Sequence, residues 1–161
     1  MGERSCHTPL MNGPRVCSVA RTLESVGERW SLLVLREVAL GVRRFDAIGA
    51  ATGASRAVLA DRLRVLVAAG LLVRREYRDT GARTRHEYRL TAAGRALQPA
   101  LIALMQWGDR YRPVSAGPPL SVEHAGCGAP VRARLVCDDG HLLDDDGREL
   151  RAYPNSAFSA P

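Results

Sequence analysis

The amino-acid sequence predicts a mainly helical α+β fold: a helix-turn-helix followed at once by a two-stranded wing, with a helix on either flank and a small hairpin or ribbon-like extension at the C-terminus. Three observations carry this expectation. Apolar residues recur at steps of three and four in successive stretches between Ser18 and Tyr111, which is the period of helices packed on one side. The tripeptide Thr52-Gly53-Ala54 separates two such stretches, and Ser55 stands where it can accept a hydrogen bond from the free N–H groups of the second. Gly70 ends that second helix, and LLVRREYR and RTRHEYRL follow with the β-branched, aromatic and alternating character of strands, joined by DTGA.

Taken in order, residues 1–16 contain Gly2, Pro9, Gly13 and Pro14 without periodicity and are expected to form a flexible arm. Ser18 is a possible N-cap for a helix carrying Val19, Leu23 and Val26 and ending near Gly27. Arg29 to Leu40 is so rich in Trp, Leu and Val that it should be buried on most sides before Gly41 stops it. Arg44 to Thr52 makes a short helix with Phe45 and Ile48 inward. On the next helix Leu59, Leu63, Leu66 and Val67 share one side, while Ala57, Ala60, Asp61 and Arg64 face away. After the wing, Thr91 is expected to cap one long helix to about Tyr111, with Leu97, Leu101, Leu104, Met105 and Trp107 as its apolar stripe and Pro99 kinking it or marking a local break. Residues 17–113 thus form the main domain, 114–122 a linker rich in Pro, Gly and Ser, and 123–161 the extension.

A chain of 161 residues holds one good core and a small appendage. All 23 basic residues are Arg, and they are unevenly placed: residues 1–113 hold 19 Arg against 10 Asp plus Glu, residues 114–161 only 4 against 7, for a net +6. The basic field therefore belongs to the helical part, where it would attract phosphate and make binding salt-dependent. No apolar run approaches a membrane span and the N-terminus lacks a signal peptide's apolar core, so a cytoplasmic protein without membrane contact is expected. Cys6, Cys17, Cys127 and Cys137 are then expected as thiols, metal ligands or redox sensors.

The helix and wing point to double-stranded DNA as partner, one part in the major groove and the other on the neighbouring backbone. Arg56 and Arg64 are the candidates for base or phosphate contact, with Ser55, Ala57 and Asp61 beside them. Small residues at the start of the helix let its backbone come close to DNA, and Arg44, Arg83 and Arg85 are placed to grip phosphates. Catalysis is not expected: there is no Gly-rich phosphate loop and no nucleophile elbow, His86 falls in the second wing strand and His7 in the arm.

The segments CSVARTLESVGERWSLLVLREVALGVRRFDAI, SRAVLADRLRVLVAAGLLVRREY and YRLTAAGRALQPALIALMQWGDR, covering roughly Cys17 to Arg112, resemble the HxlR family of bacterial winged-helix transcription regulators, relatives of the MarR type. The resemblance implies a homodimer joined through its first and last helices, Val19 to Val26 and Thr91 to Tyr111, with two recognition helices reading an inverted repeat. It implies a sensing role for the cysteine before the first helix, Cys17, toward electrophiles or oxidants, other members answering to small molecules. Family members often carry Pro just after the position of Ser55, where this chain has Arg56.

Three further groups stand outside the DNA-reading unit. Cys17 precedes a helix and lies near Arg15 and Arg21, surroundings that favour the reactive thiolate; the alternative is a small residue packed at the dimer seam. Trp30, Met105, Trp107 and Tyr111 could line a small-molecule pocket or belong to core and interface. His124, Cys127, Cys137 and His141, written H-x2-C-x9-C-x3-H, could hold zinc in a ribbon-like extension, the other reading being a two-stranded hairpin whose cysteines pack as apolar groups. Asp144, Asp145 and Asp146 read as a solvated turn, since an EF-hand needs alternating ligands and a closing Glu. No cofactor is required by this reading. The expected function is a sequence-specific regulator, a repressor released by a small-molecule or electrophile/oxidant signal; the competing function is a winged-helix module that binds proteins without specific DNA binding.

Overall fold

Leu59, Leu63 and Leu66 recur at steps of four and three, so on a helix they share one face, and all three are buried against Val34, Leu35, Val38 and Ile48. The computed structural model describes residues 17–77, 85–144 and 146–153. Along the chain it gives α1 (Ser18–Val26), α2 (Arg29–Ala39), α3 (Phe45–Thr52), α4 (Arg56–Ala68), β1 (Leu72–Tyr77), β2 (Arg85–Leu90), α5 (Ala92–Ala96) and α6 (Gln98–Tyr111). This is the expected mainly helical α+β architecture with a two-stranded wing.

The core helix α2 buries Val34, Leu35 and Val38, and α3 and α4 pack on it as a helix-turn-helix. Between those two, Gly53 stands at φ 74°, a left-handed conformation that glycine adopts without cost, and its N–H closes α3 on Gly49 O at 2.9 Å. Ser55 then caps α4, its Oγ accepting from Val58 N–H at 3.4 Å as expected. At the other end Gly70 takes φ 69°, and the N–H groups of Gly70 and Leu71 return to Val67 O and Leu66 O at 3.0 Å each. The chain therefore leaves α4 in a fixed direction and runs straight into the wing.

The wing pairs β1 and β2 antiparallel from Leu72↔Leu90 to Tyr77↔Arg85. Two ties set its angle to the helices. Tyr88 N–H donates to Arg43 O at 2.9 Å beside an isolated bridge between Arg44 and Glu87, so the loop between α2 and α3 forms a third short rung. Thr91 Oγ1 donates to Gly70 O at 2.6 Å and accepts from Gly94 N–H at 3.1 Å, joining the end of α4, the end of β2 and the start of α5.

At Pro99 the local break, one of the two expected outcomes, is realised, and at Ser18 the expectation changes. The long helix from Thr91 is two helices, broken at Leu97, because Pro99 has no N–H to give an interior turn and is instead accommodated in the first turn of α6. The N-cap position of α1 is occupied by Cys17, without a side-chain capping bond, while Ser18 is already helical and its Oγ accepts from Arg21 Nη2 at 3.3 Å.

The extension folds as two short turns held by the isolated bridges Glu123↔Pro130 and Val136↔Leu142. Gln106 of α6 anchors it with both ends of its carboxamide, Nε2 donating to Val131 O at 2.8 Å and Oε1 accepting from Ala133 N–H at 3.0 Å. Residues 114–122, expected as a plain linker, also pack: Leu120 and Val122 border a groove between α2 and α6, since leaving two aliphatic side chains in water costs more than laying them on apolar helix faces. Among the described residues no helix is long and apolar enough to cross a membrane.

Gly94 is buried, and a Cβ built on it would lie 2.2 Å from Leu71 O, a backbone atom that cannot move aside. Gly94→Ala is expected to lower stability by about 1–3 kcal/mol, the usual cost of forced overpacking, measured by urea unfolding followed by circular dichroism.

Candidate nucleic-acid interface

The buried leucine stripe of α4 decides which residues face outward. With Leu59, Leu63 and Leu66 inside, Arg56, Ala57, Ala60 and Arg64 are exposed and Asp61 lies between them. The N-terminal turn of α4 has only short side chains at Ala57 and Ala60, and its positive dipole end favours an approaching phosphate.

Beside that turn the wing and α3 enclose an open cleft of about 680 Å3 bordered by Arg44, Arg56, Arg74, Arg85, Tyr77 and His86. Four guanidinium groups from four different elements thus meet around one concavity. Arg44 takes the N-cap position of α3 and lies over the Tyr77 ring at 4.7 Å, so it is gripped between helix and wing. Arg56 lies over Phe45 at 5.2 Å and pairs with Asp46 at 3.1 Å. Arg56 is therefore a cation that links the start of α4 to α3. Arg74 was not singled out in the sequence; its Nη2 contacts the His86 ring nitrogens at 3.0 and 2.8 Å, a cross-strand meeting that follows from the hairpin register and only becomes readable once that register is fixed. Arg83 lies outside the described residues, as does Arg78.

Farther along α4, Asp61 receives Arg62 Nη2, and Arg64 Nη2 at 2.6 Å. These hydrogen bonds, Arg62's first and then Arg64's, hold the Asp61 carboxyl below its ordinary value of 3.8. A depressed carboxylate pKa means that the pairing persists above that value and is lost only as pH falls through the lower folded one. At neutral pH Asp61 is thus an anion in the middle of the outward face of α4, masking part of the charge of Arg62 and Arg64.

The other candidate groups fall as follows. Cys17 is exposed at the N-cap of α1 and carries a free thiol. Of the four expected pocket residues only Met105 borders the groove between α2 and α6. Trp30 instead stacks under Arg29 at 4.7 Å, and Trp107 and Tyr111 meet each other at 5.5 Å on the outer face of α6, because one turn of helix separates them. In the extension, His124 Nδ1 lies 3.2 Å from Cys127 Sγ and Cys137 Sγ 3.4 Å from His141 Nδ1. Each pair sits in its own turn and offers two donors of the four that structural zinc takes, and among the described residues no three His, Cys, Asp or Glu side chains gather as a metal site. The single four-ligand cluster expected from the spacing is not formed in this structure.

A helix-turn-helix with its second helix capped, outward and basic, followed by a wing, defines a winged helix-turn-helix protein. The chain belongs to the HxlR-like helix-turn-helix family, whose match spans residues 25–116. A relative described as an HTH-type transcriptional regulator of Mycobacterium tuberculosis is 51% identical over 144 residues, covering 89% of each chain. The crystal structure of PA1607, titled as a transcription factor, superposes at TM-score 0.74 with 33% identity over 87% of this chain and 96% of that one. The redox regulator HypR, in its reduced form, matches at TM-score 0.54 and 28% identity over 60% of this chain and 94% of its own. The chain is accordingly a helix-turn-helix transcriptional regulator and not an enzyme.

Asp61→Asn removes the anion that engages Arg62 and Arg64. It is expected to tighten binding to nonspecific duplex DNA and to steepen the dependence of log K on log salt by about one contact's worth, measured by fluorescence anisotropy across a salt series.

Proposed function

We propose that the chain acts as a homodimer that binds an inverted-repeat operator and represses transcription until a chemical signal releases it. The observation that carries the DNA-binding part is the cleft between the wing and the start of α3, where Arg44, Arg74 and Arg85 stand with Arg56, the first residue of α4, the helix that would enter the major groove. In this reading Arg64 reads a base edge from the exposed side of α4, with Ala57 and Ala60 letting the backbone close in, and Arg85 holds phosphate from the wing.

The dimer reading is supported by the two terminal helices of the domain. Val19 and Leu23 on α1 are 65% and 51% exposed, and Leu104, Trp107 and Tyr111 on α6 are each more than half exposed. Apolar faces of that size on both flanking helices are what a second copy would cover. Two recognition helices must then meet half-sites about 34 Å apart along one DNA face, and anything that changes their separation loses the operator.

For the signal, the exposed Cys17 thiol at the N-terminus of α1 supports sensing of an electrophile or oxidant, as does the likeness to a protein named a redox regulator. Because α1 belongs to the proposed dimer seam, a bulky or cross-linked Cys17 would act on the spacing of the two recognition helices.

Gel-shift titration against the DNA upstream of the protein's own gene tests the reading. Arg64→Ala is expected to weaken operator binding by about 1–3 kcal/mol, the usual value of one base-reading arginine, with a smaller effect on unrelated DNA; equal losses on both would remove base readout. Diamide is expected to lower operator affinity of the wild type and to leave Cys17→Ser unaffected, whereas equal responses would exclude Cys17 as the sensor.

A further inference from the structure

We propose that the C-terminal extension is a zinc site in which one ion joins two hairpin tips, each carrying one histidine and one cysteine. It goes beyond the DNA-reading proposal and does not rest on it. The bridges Glu123↔Pro130 and Val136↔Leu142 define two short hairpins. His124 and Cys127 lie inside the first bridge, Cys137 and His141 inside the second, so all four are at a tip, and all four are exposed. Both tips are tight: Gly128 N–H donates to His124 O at 2.8 Å, and Gly140 N–H donates to Cys137 O at 2.9 Å. Gly126 makes room for the His124 ring, since a Cβ there would lie 2.8 Å from its Cε1.

Geometry and charge give the ion. On one tetrahedral zinc, a sulfur at about 2.3 Å and a nitrogen at about 2.0 Å stand about 3.5 Å from each other. The N···S separations are 3.2 Å at the first tip and 3.4 Å at the second, so each pair is spaced as a chelate. Two thiolates cancel the charge of a divalent ion and two neutral imidazoles complete a set that prefers zinc to magnesium or calcium. Among the described residues neither tip gathers a third His, Cys, Asp or Glu, so each supplies two donors and the other tip completes the four. The reason for an ion is the missing core. None of the described residues from 114 to 153 is buried, and Leu135, Val136, Leu142 and Leu150 are each more than half exposed. A unit of this size without a core of its own needs a cross-link. The tips stand apart in this structure, and the ion supplies the free energy that draws them together, as metal binding does where no site is preformed. Gln106 grips the segment between the tips at Val131 and Ala133, so closing the tips is felt at α6.

Metal analysis and cobalt substitution of the untagged full chain, kept reduced, test the site. One zinc per chain is expected, and Co(II) in its place should give the visible bands of tetrahedral cobalt with a thiolate-to-cobalt charge-transfer band. Cys127→Ser and Cys137→Ser are each expected to weaken cobalt binding by more than about a hundredfold, beyond what losing a ligand's hydrogen-bond partner costs. The ligands lie outside the helical core, so unchanged helical circular dichroism in these variants separates lost metal from lost folding. Zinc is also expected to slow amide exchange over residues 128–136 and around Gln106; unchanged exchange would overturn the coupling to α6. Neither zinc nor a cobalt spectrum in the reduced protein would overturn the site. Two ions per chain, or a spectrum that survives in either cysteine variant, would overturn the shared ion. A chain with His124→Ala and Cys127→Ser, mixed with one carrying Cys137→Ser and His141→Ala, is expected to stay without a cobalt spectrum. A spectrum appearing only in that mixture would overturn the single-chain arrangement.

Discussion

The structure depends on one packing constraint, the seating of Leu59, Leu63 and Leu66 of α4 on Val34, Leu35 and Val38 of α2 and on Ile48 of α3. A helix with three buried leucines has one rotational setting, because turning it would replace leucines by Asp61 or Arg64 in the core, at a cost of several kcal/mol for each uncompensated charge. Removing one such leucine typically costs about 2–5 kcal/mol of the 5–15 that a domain has. The outward face of α4 is therefore specified by its inward face. Everything that touches DNA in the proposed complex inherits its position from that stripe, including the wing, whose first strand starts a few residues after α4 and is tied back through Thr91 and Tyr88.

On this frame the arginines are engaged before any partner arrives. Arg56 is held by Asp46 and Phe45, Arg62 and Arg64 by Asp61, Arg44 by Tyr77. The Arg56 pair is 84% exposed on both sides, and exposed ion pairs contribute roughly 0–1 kcal/mol. Exchanging such a carboxylate for a phosphate costs little, while the ring contacts keep the guanidinium groups near the cleft. The features proposed to carry a signal lie at or beside the two helices proposed to join the protomers: Cys17 at the N-cap of α1, and the extension anchored to α6 by Gln106.

The helix-turn-helix and wing were legible in the sequence because each boundary is written in local chemistry: Gly53 and Gly70 take left-handed conformations, Ser55 caps, and the wing residues have strand character. The inward and outward sets of α4 followed from period alone. What could not be read depended on contacts distant in the chain. Whether Pro99 kinks the last helix or breaks it was left open by the sequence; the break falls at Leu97, with Pro99 in the first turn of α6. The groove drew on Leu120 and Val122, which sequence assigned to a linker because Pro and Gly surround them, and it left out Trp30, Trp107 and Tyr111, whose size suggested a pocket but whose helical phase points elsewhere. The metal-ligand spacing in the extension resolved into two separate His–Cys turns, since spacing along the chain does not fix the distance between hairpins.

In the proposed complex the α4–wing units of two protomers read DNA from one face. Hydroxyl-radical footprinting of the full-length protein on the DNA upstream of its own gene addresses it most directly. Two protected patches are expected on the same face of the duplex, centred about one helical turn, roughly 10 base pairs, apart. Uniform coating of the fragment, or no protection at concentrations where the chain is folded, would contradict it.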